Sequence, residues 1–274
     1  MPFHRLPVRN STMMRPGGLP ETLPFLPRYL FTDVDDTLTW QGRLPAETYS
    51  AMENLQQAGV KIIPVTGACS GWCDCMIRTW PIAAVIGENG AFWIQKDQQG
   101  RLQQRFRLPF TERSQNRSQL EQLIENIARE LPQARLTRDH PYRLTDIAYD
   151  IGQDERLANS DLDRLLALIR LSPASVRVSS IHVNIWMGAY DKASSALAWL
   201  EQEQQLSREE ALAQSIFIGD SPNDANMFSA FPHTVGVANI QRFLTTLNPP
   251  PRYITFNPGG YGFVELADTV LRSL

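Results

Sequence analysis

The chain has 274 residues, of which 43% belong to the AVILMFWYC set and 20% are charged. These are proportions of a folded globular protein, and at about 150 residues per domain the length allows two domains or one with a large insertion. Twenty-six Lys and Arg against 29 Asp and Glu leave a net charge of −3, so no global positive field exists to hold nucleic acid or an anionic membrane. No apolar run approaches the ~18 residues of a spanning helix, so neither nucleic acid nor membrane is an expected partner.

In chain order, residues 1–27 carry Arg5, Arg9, Arg15 and several prolines but no continuous apolar stretch of the signal-peptide kind. They read as a poorly ordered leader, with Met13 or Met14 as alternative starts. Residues 28–34 (RYLFTDV) form an aromatic and β-branched run without alternation, as expected for a strand buried on both faces. Tyr49, Met52 and Leu55 mark one helix face that Gly59 closes. Residues 60–65 (VKIIPV) form a second strand, 69–79 a second helix and 83–86 (AAVI) a third strand. Strands alternating with helices predict βαβαβ and a parallel sheet.

From Phe92 the pattern changes to a hairpin around residues 97–100, a helix through Leu120, Leu123, Ile124 and Ile127, and a strand at 145–151. A helix through Leu162, Leu165, Leu166 and Ile169 and strands at 175–186 complete an α+β unit. The α/β pattern returns with a helix from Lys192, strands at 215–218, 234–237 and 253–255, and a closing helix at 263–271. The Gln- and Glu-rich stretch 201–210 reads as a solvated helix end. The expected architecture is α/β, a parallel-sheet core at 28–91 and 188–274 interrupted by an α+β domain at 92–187.

Two acidic clusters stand at strand ends. Asp33, Asp35, Asp36 and Thr37 (DVDDT) follow the first strand, and carboxylates there project from the sheet's carboxyl edge, where open α/β sheets bind ligands. Two nearby carboxylates can divide labour as nucleophile or metal ligand and as general acid; an acidic turn that caps the next segment is the alternative. Residues 219–224 (GDSPND) also follow a buried strand, so two oxygen-rich rims can converge on one hard cation such as Mg²⁺. Neither cluster has the twelve-residue spacing of an EF-hand.

The ordered set DVDDT, Thr66–Gly67, Lys192 and GDSPND resembles the haloacid dehalogenase-like superfamily, in particular its sugar phosphatases of the Cof and sucrose-phosphatase kind, with a Rossmann-like core and a large cap after the third strand. The resemblance implies a Mg²⁺-dependent phosphoric monoester hydrolase acting on a sugar phosphate or similar small phosphomonoester. Asp33 attacks phosphorus to give an aspartyl-phosphate, and Asp35 protonates the leaving oxygen and then activates water. Thr66, the Gly67 N–H and Lys192 bind the phosphate, Asp33, Asp35 and Asp220 hold Mg²⁺, and Asn223 and Asp224 complete the metal surroundings. Ala68 departs from the pattern, standing where capped relatives often carry Arg, so any contact from that Arg is absent. A phosphomutase using the same aspartyl-phosphate, or a non-catalytic binding module on this fold, are the rival readings.

The stretch 87–91 (GENGA) sits where the resemblance places a loop facing the site; Asn89 is either a substrate contact or a turn residue beside two glycines. In 175–186 the apolar parity shifts from Val176 and Val178 to Ile181, Val183 and Ile185, so the chain turns or bulges near residues 179–180. His182, Asn184 and Trp186 then share a face, expected either to look down on the leaving group, His182 and Asn184 reading hydroxyls above a Trp186 platform, or to meet solvent. Cys69, Cys73 and Cys75 provide no secreted disulfide framework and fit a reducing cytoplasm; buried or half-buried free thiols are favoured over a metal site.

Overall fold

The computed structural model describes residues 16–179 and 181–274. The core begins with β1 (Gly17–Gly18), β2 (Tyr29–Thr32), α1 (Ala46–Gln57), β3 (Lys61–Pro64), α2 (Ser70–Thr79) and β4 (Ala84–Gly87). A hairpin, β5 (Phe92–Lys96) and β6 (Leu102–Phe106), precedes a unit of α3 (Phe110–Glu130), β7 (Asp146–Asp150), α4 (Asn159–Arg170), β8 (Ser175–Val178) and β9 (His182–Trp186). The core resumes with α5 (Lys192–Glu203), α6 (Arg208–Ala213), β10 (Ser215–Gly219), α7 (Ala225–Ala230), β11 (Thr234–Gly236), β12 (Tyr253–Ile254) and α8 (Gly259–Ser273).

Six parallel strands run in the order β1-β12-β11-β10-β2-β3. Neighbouring residues of β2 point to opposite faces and enter different apolar clusters. Leu30 packs with Ile62, Met52, Leu55, Phe263 and Leu266, while Phe31 packs with Ile63, Phe217, Trp199 and Phe228. Both faces are covered by helices, which is why the strands are continuous apolar runs with no polar parity. From β2 the chain proceeds to β3 on one side and, after the insertion, reaches β10 on the other. That reversal is a switch point, and it opens a crevice at the carboxyl ends of the central strands.

Two expectations need correction. The hairpin assigned to the inserted unit from residue 92 pairs antiparallel with β4, matching Ile86 to Trp93 and Val85 to Ile94. β4 in turn joins β3 through the Val65–Ile86 bridge. Phe92 and Ile94 enter one core cluster and Trp93 the other, so residues 92–106 extend the core and the cap begins after them. Alternation announces a hairpin but does not say which sheet edge receives it. The described part of the leader is also tied down: β1 pairs with Tyr253 and Ile254, and Phe25 stacks on His233 at 3.7 Å. Residues 1–15, with Met13 and Met14, lie outside the described residues.

The cap is a three-stranded antiparallel sheet, β7-β9-β8, whose Ile147, Tyr149, Val183 and Ile185 pack on Leu120 and Ile127 of α3 and Leu165 and Ile169 of α4. The expected turn between β8 and β9 is present, with the Ser179 N–H donating to His182 O at 2.8 Å; Ser180 lies outside the described residues. The stretch 201–210 contains the end of α5 and the start of α6, which Ser207 caps reciprocally with Glu210.

Candidate active site

Adjacent parallel strands bring the two acidic clusters together. Thr32 of β2 pairs with Ile218 of β10, and the Asp33 N–H donates to Ile218 O at 3.0 Å, so Asp33 and Asp220 leave neighbouring strand ends. Beyond Asp33 the chain curls back, with the N–H groups of Thr37, Leu38 and Thr39 converging on Val34 O. This tight turn places Asp36 at φ +56°.

Lys192, the first residue of α5, is 3% exposed. Its Nζ donates to Asp33 Oδ1 at 2.6 Å and Asp224 Oδ1 at 2.8 Å. Asp224 Oδ2 accepts from the Asp220 N–H at 3.1 Å. The α5 N-terminus is fixed by Asp191, which exchanges capping bonds with Ser194 and accepts from Asn226 Nδ2 at 2.6 Å. One carboxylate oxygen each of Asp33, Asp220 and Asp224 lies within 4.8 Å of the other two. Three buried carboxylates thus face one ammonium, an arrangement that raises the proton affinity of the acids.

Burial, assisted by Asp224 and Asp220 and opposed by Lys192, lifts Asp33 well above the ordinary carboxylate range. Burial and Asp224 push Asp220 up to about 7. Burial opposes charge on Lys192, but Asp224 and Asp33 outweigh it and hold the amine above its usual range. Asp35 is exposed, but the protein packed around its carboxyl removes part of its hydration and raises its proton affinity. Close carboxylates with an excess of negative charge and oxygen donors suit a hard divalent cation. Asp33 Oδ2 accepts no hydrogen bond from the described residues, whereas Asp224 uses both oxygens on Lys192 and the Asp220 backbone. Asp33 and Asp220 therefore fit as ligands, and Asp224 fits as the residue that orients Lys192.

The opposite side of the cluster is formed by the loop after β3. Thr66 is buried, its N–H bonded to Ile86 O and its Oγ1 accepting from the Ala68 N–H at 3.1 Å. Asn89, at φ +58° and 2% exposed, lies against Gly67, where a Cβ would meet its amide atoms at 3.2 and 3.3 Å. Neither polar atom of that buried amide has a partner. Asn89, Lys192, Asn223 and Trp186 line one narrow cleft, and among the described residues Asn223 Oδ1 is likewise buried without a partner.

A second ionic cluster fastens cap to core. Arg143 donates to both Asp146 oxygens at 3.0 Å, to both Asp139 oxygens at 3.0 Å and to Gly67 O at 3.1 Å. The buried Glu88 carboxylate accepts from Ser70 N, Leu144 N, Thr145 N, Thr145 Oγ1 and Asp146 N. Burial and the Asp146 charge nevertheless push Glu88 up to about 7.

The cap residues singled out from sequence divide. Asn184 reaches the core, donating to Gly67 O at 3.3 Å and to Asp146 Oδ2 at 3.2 Å, so its amide nitrogen positions the loop. His182 stays within the cap, its ring paired with Gln153 Oε1. Trp186 is buried, donates to Tyr190 O at 3.2 Å and stacks on that ring; it is a wall of the cleft more than an open platform. Sequence reasoning missed Asn239, whose Nδ2 donates to Asp220 Oδ2 and Asp36 O at 3.1 Å and ties the two acidic rims together. The signal was its place just after β11, a third carboxyl rim beside β10. Cys69, Cys73 and Cys75 are all free; burial lifts the Cys69 thiol to about 11 and Cys73 well above its ordinary value, which leaves both inert at neutral pH.

The fold is a capped α/β core with an acid cluster at its strand ends, and the comparisons give its class. The sucrose-6F-phosphate phosphohydrolase family model matches residues 26–249, so the chain belongs to that family of haloacid dehalogenase-like phosphatases and is a phosphoric monoester hydrolase. No curated protein matches it in sequence. Among solved structures, a Thermoplasma acidophilum protein superposes with TM-score 0.71 at 16% identity, covering 90% of this chain and 99% of that one. The sucrose-phosphatase of Synechocystis sp. PCC6803, solved with sucrose and phosphate, gives 0.61 at 17%, covering 90% and 98%. A haloacid dehalogenase-like hydrolase from Bacteroides thetaiotaomicron gives 0.65 at 16%, covering 89% and 99%. Among the described residues no helix is long and apolar enough to cross a membrane.

Proposed function

We propose that the chain is a Mg²⁺-dependent phosphatase that hydrolyses a small phosphomonoester, a sugar phosphate or similar compound, through an aspartyl-phosphate on Asp33. The observation that carries this reading is the excess of buried carboxylate around Lys192 at the sheet's switch point: Asp33, Asp220 and Asp224 against one ammonium. Asp33 and Asp220 would hold the cation, which when bound offsets that charge and the charge on the phosphoryl oxygens.

An Asp33 carboxylate oxygen attacks phosphorus as the bond to the leaving oxygen breaks, and Asp35, with its raised proton affinity, donates its proton to that oxygen. Asp35 then takes a proton from water, whose oxygen attacks phosphorus; the phosphorus–Asp33 bond breaks, releasing phosphate and restoring Asp33 as a carboxylate and Asp35 as an acid. Lys192 orients Asp33 and, with Thr66 and the Gly67 N–H, faces the charged equatorial oxygens. A buried lysine held by two acids keeps its charge throughout, so it acts as an electrostatic donor and not as a base. Three free cysteines agree with a reducing compartment, the cytoplasm.

The test is phosphate release from sugar phosphates, nucleotides and p-nitrophenyl phosphate, with Mg²⁺ or EDTA, by the native chain and Asp33→Asn. Expected is metal-dependent release that Asp33→Asn lowers by about 10⁴-fold or more, the scale on which a covalent nucleophile contributes. Release that persists in the variant would contradict the mechanism, and conversion to an isomeric phosphate without release would replace hydrolase by mutase.

A further inference from the structure

The cleft beside Lys192 contains a cation that the proposed hydrolysis does not use. Alternation in β8 sends Val176 into the cap core and Arg177 to the opposite face, beside Asn184 across the β8–β9 ladder, the residue that touches Gly67 O. Arg177 thereby hangs over the loop at Gly67, lining the same narrow cleft as Asn89, Lys192 and Asn223. Among the described residues its guanidinium makes one hydrogen bond, to Val176 O at 3.1 Å, and has no carboxylate partner. The nearest available acid lining the cleft, Asp191, already accepts from Ser194 N and Asn226 Nδ2. Beside this half-buried guanidinium sit Asn89, both amide atoms buried and unpartnered, and the unpartnered Asn223 Oδ1. A buried donor or acceptor left without a partner is costly, so these groups await a ligand. A guanidinium fork matches a carboxylate or a phosphate.

We propose that the leaving group bears a second anionic group, read by Arg177, with a neighbouring hydroxyl read by Asn89 and Asn223. The substrate class is then a phosphorylated hydroxy acid or a bisphosphate, not a neutral sugar monophosphate. This rests on the phosphatase reading for the position of the transferred phosphate at Asp33, and a binding measurement separates the two.

The experiment is calorimetric titration of Asp33→Asn, which cannot turn over, with 6-phosphogluconate, glucose 1,6-bisphosphate and glucose 6-phosphate in Mg²⁺. Hydrogen bonds to charged groups support at least about tenfold tighter binding of an anionic ligand over the neutral sugar phosphate. In the Asp33→Asn, Arg177→Gln double variant that advantage falls to within about twofold, whereas Arg177→Lys, which keeps a cation, retains part of it. The larger of the two advantages tells carboxylate from phosphate. Equal or absent binding of both anionic ligands, or an advantage that survives Arg177→Gln, overturns the proposal. Absence of phosphate release by the native chain would instead count against the hydrolase reading, leaving the ratio of affinities to decide this one.

Discussion

Two buried ionic clusters lie on either side of the Gly67 loop, and they are constructed on opposite principles. At the cap clasp, Arg143 is held between Asp139 and Asp146 and Glu88 accepts five donors. At the strand rim, Asp33 and Asp224 share one lysine with Asp220 crowded beside them, and among the described residues Asn89 and Asn223 keep buried atoms without partners. A satisfied network holds a structure, whereas an unsatisfied one stores a demand that a ligand meets. The difference is the reason for proposing the clasp as architecture and the rim as the place of chemistry.

Breaking the clasp has the larger effect on stability. Arg143→Met strands the buried Asp146 charge and leaves the Gly67 carbonyl to Asn184 alone, with an expected loss of about 3–5 kcal/mol in urea unfolding. The rim responds in the opposite direction. In EDTA, Asp220→Asn relieves repulsion among the acids and raises stability by on the order of 1–2 kcal/mol, while turnover in Mg²⁺ is lost. A fall in stability in that variant would place the rim in the same class as the clasp.

A smaller test uses pH. Glu88 sits at about 7 in the folded chain and near 4.3 in an unfolded one, so the folded state binds the proton more tightly. Its contribution is fully present below about pH 4.3 and is lost as pH rises through 7, which costs on the order of 1 kcal/mol between pH 6 and 8. Thermal unfolding of Glu88→Gln at those two pH values is expected to show a smaller difference than the native chain, and an unchanged difference would assign the titration elsewhere.

The rim was legible because its parts are local. DVDDT and GDSPND each follow a short apolar strand, and burial on both faces leaves a carboxylate nowhere to go but the rim. Lys192 was legible by its place in an ordered set, although its partners are Asp33 and Asp224, 159 and 32 residues away. The clasp had no such signal. Glu88 meets residues 56 to 58 positions further on, and Arg143 reaches Gly67 across 76; only the docking of cap on core creates those pairs. Arg177 illustrates the middle case, since VRV alternation assigns its face but not what that face looks upon. The β5–β6 hairpin was recognised as a hairpin and assigned to the inserted unit, whereas it pairs with β4, for the same reason.

The central claim is that the rim is electrically incomplete and that a divalent cation completes it. Calorimetric titration of the native chain and Asp220→Asn with Mg²⁺ tests this without any substrate. The expected result is one saturable site in the native chain, weakened about tenfold or more when a carboxylate ligand becomes an amide. Heat that is absent in the native chain, or unchanged in Asp220→Asn, would contradict it.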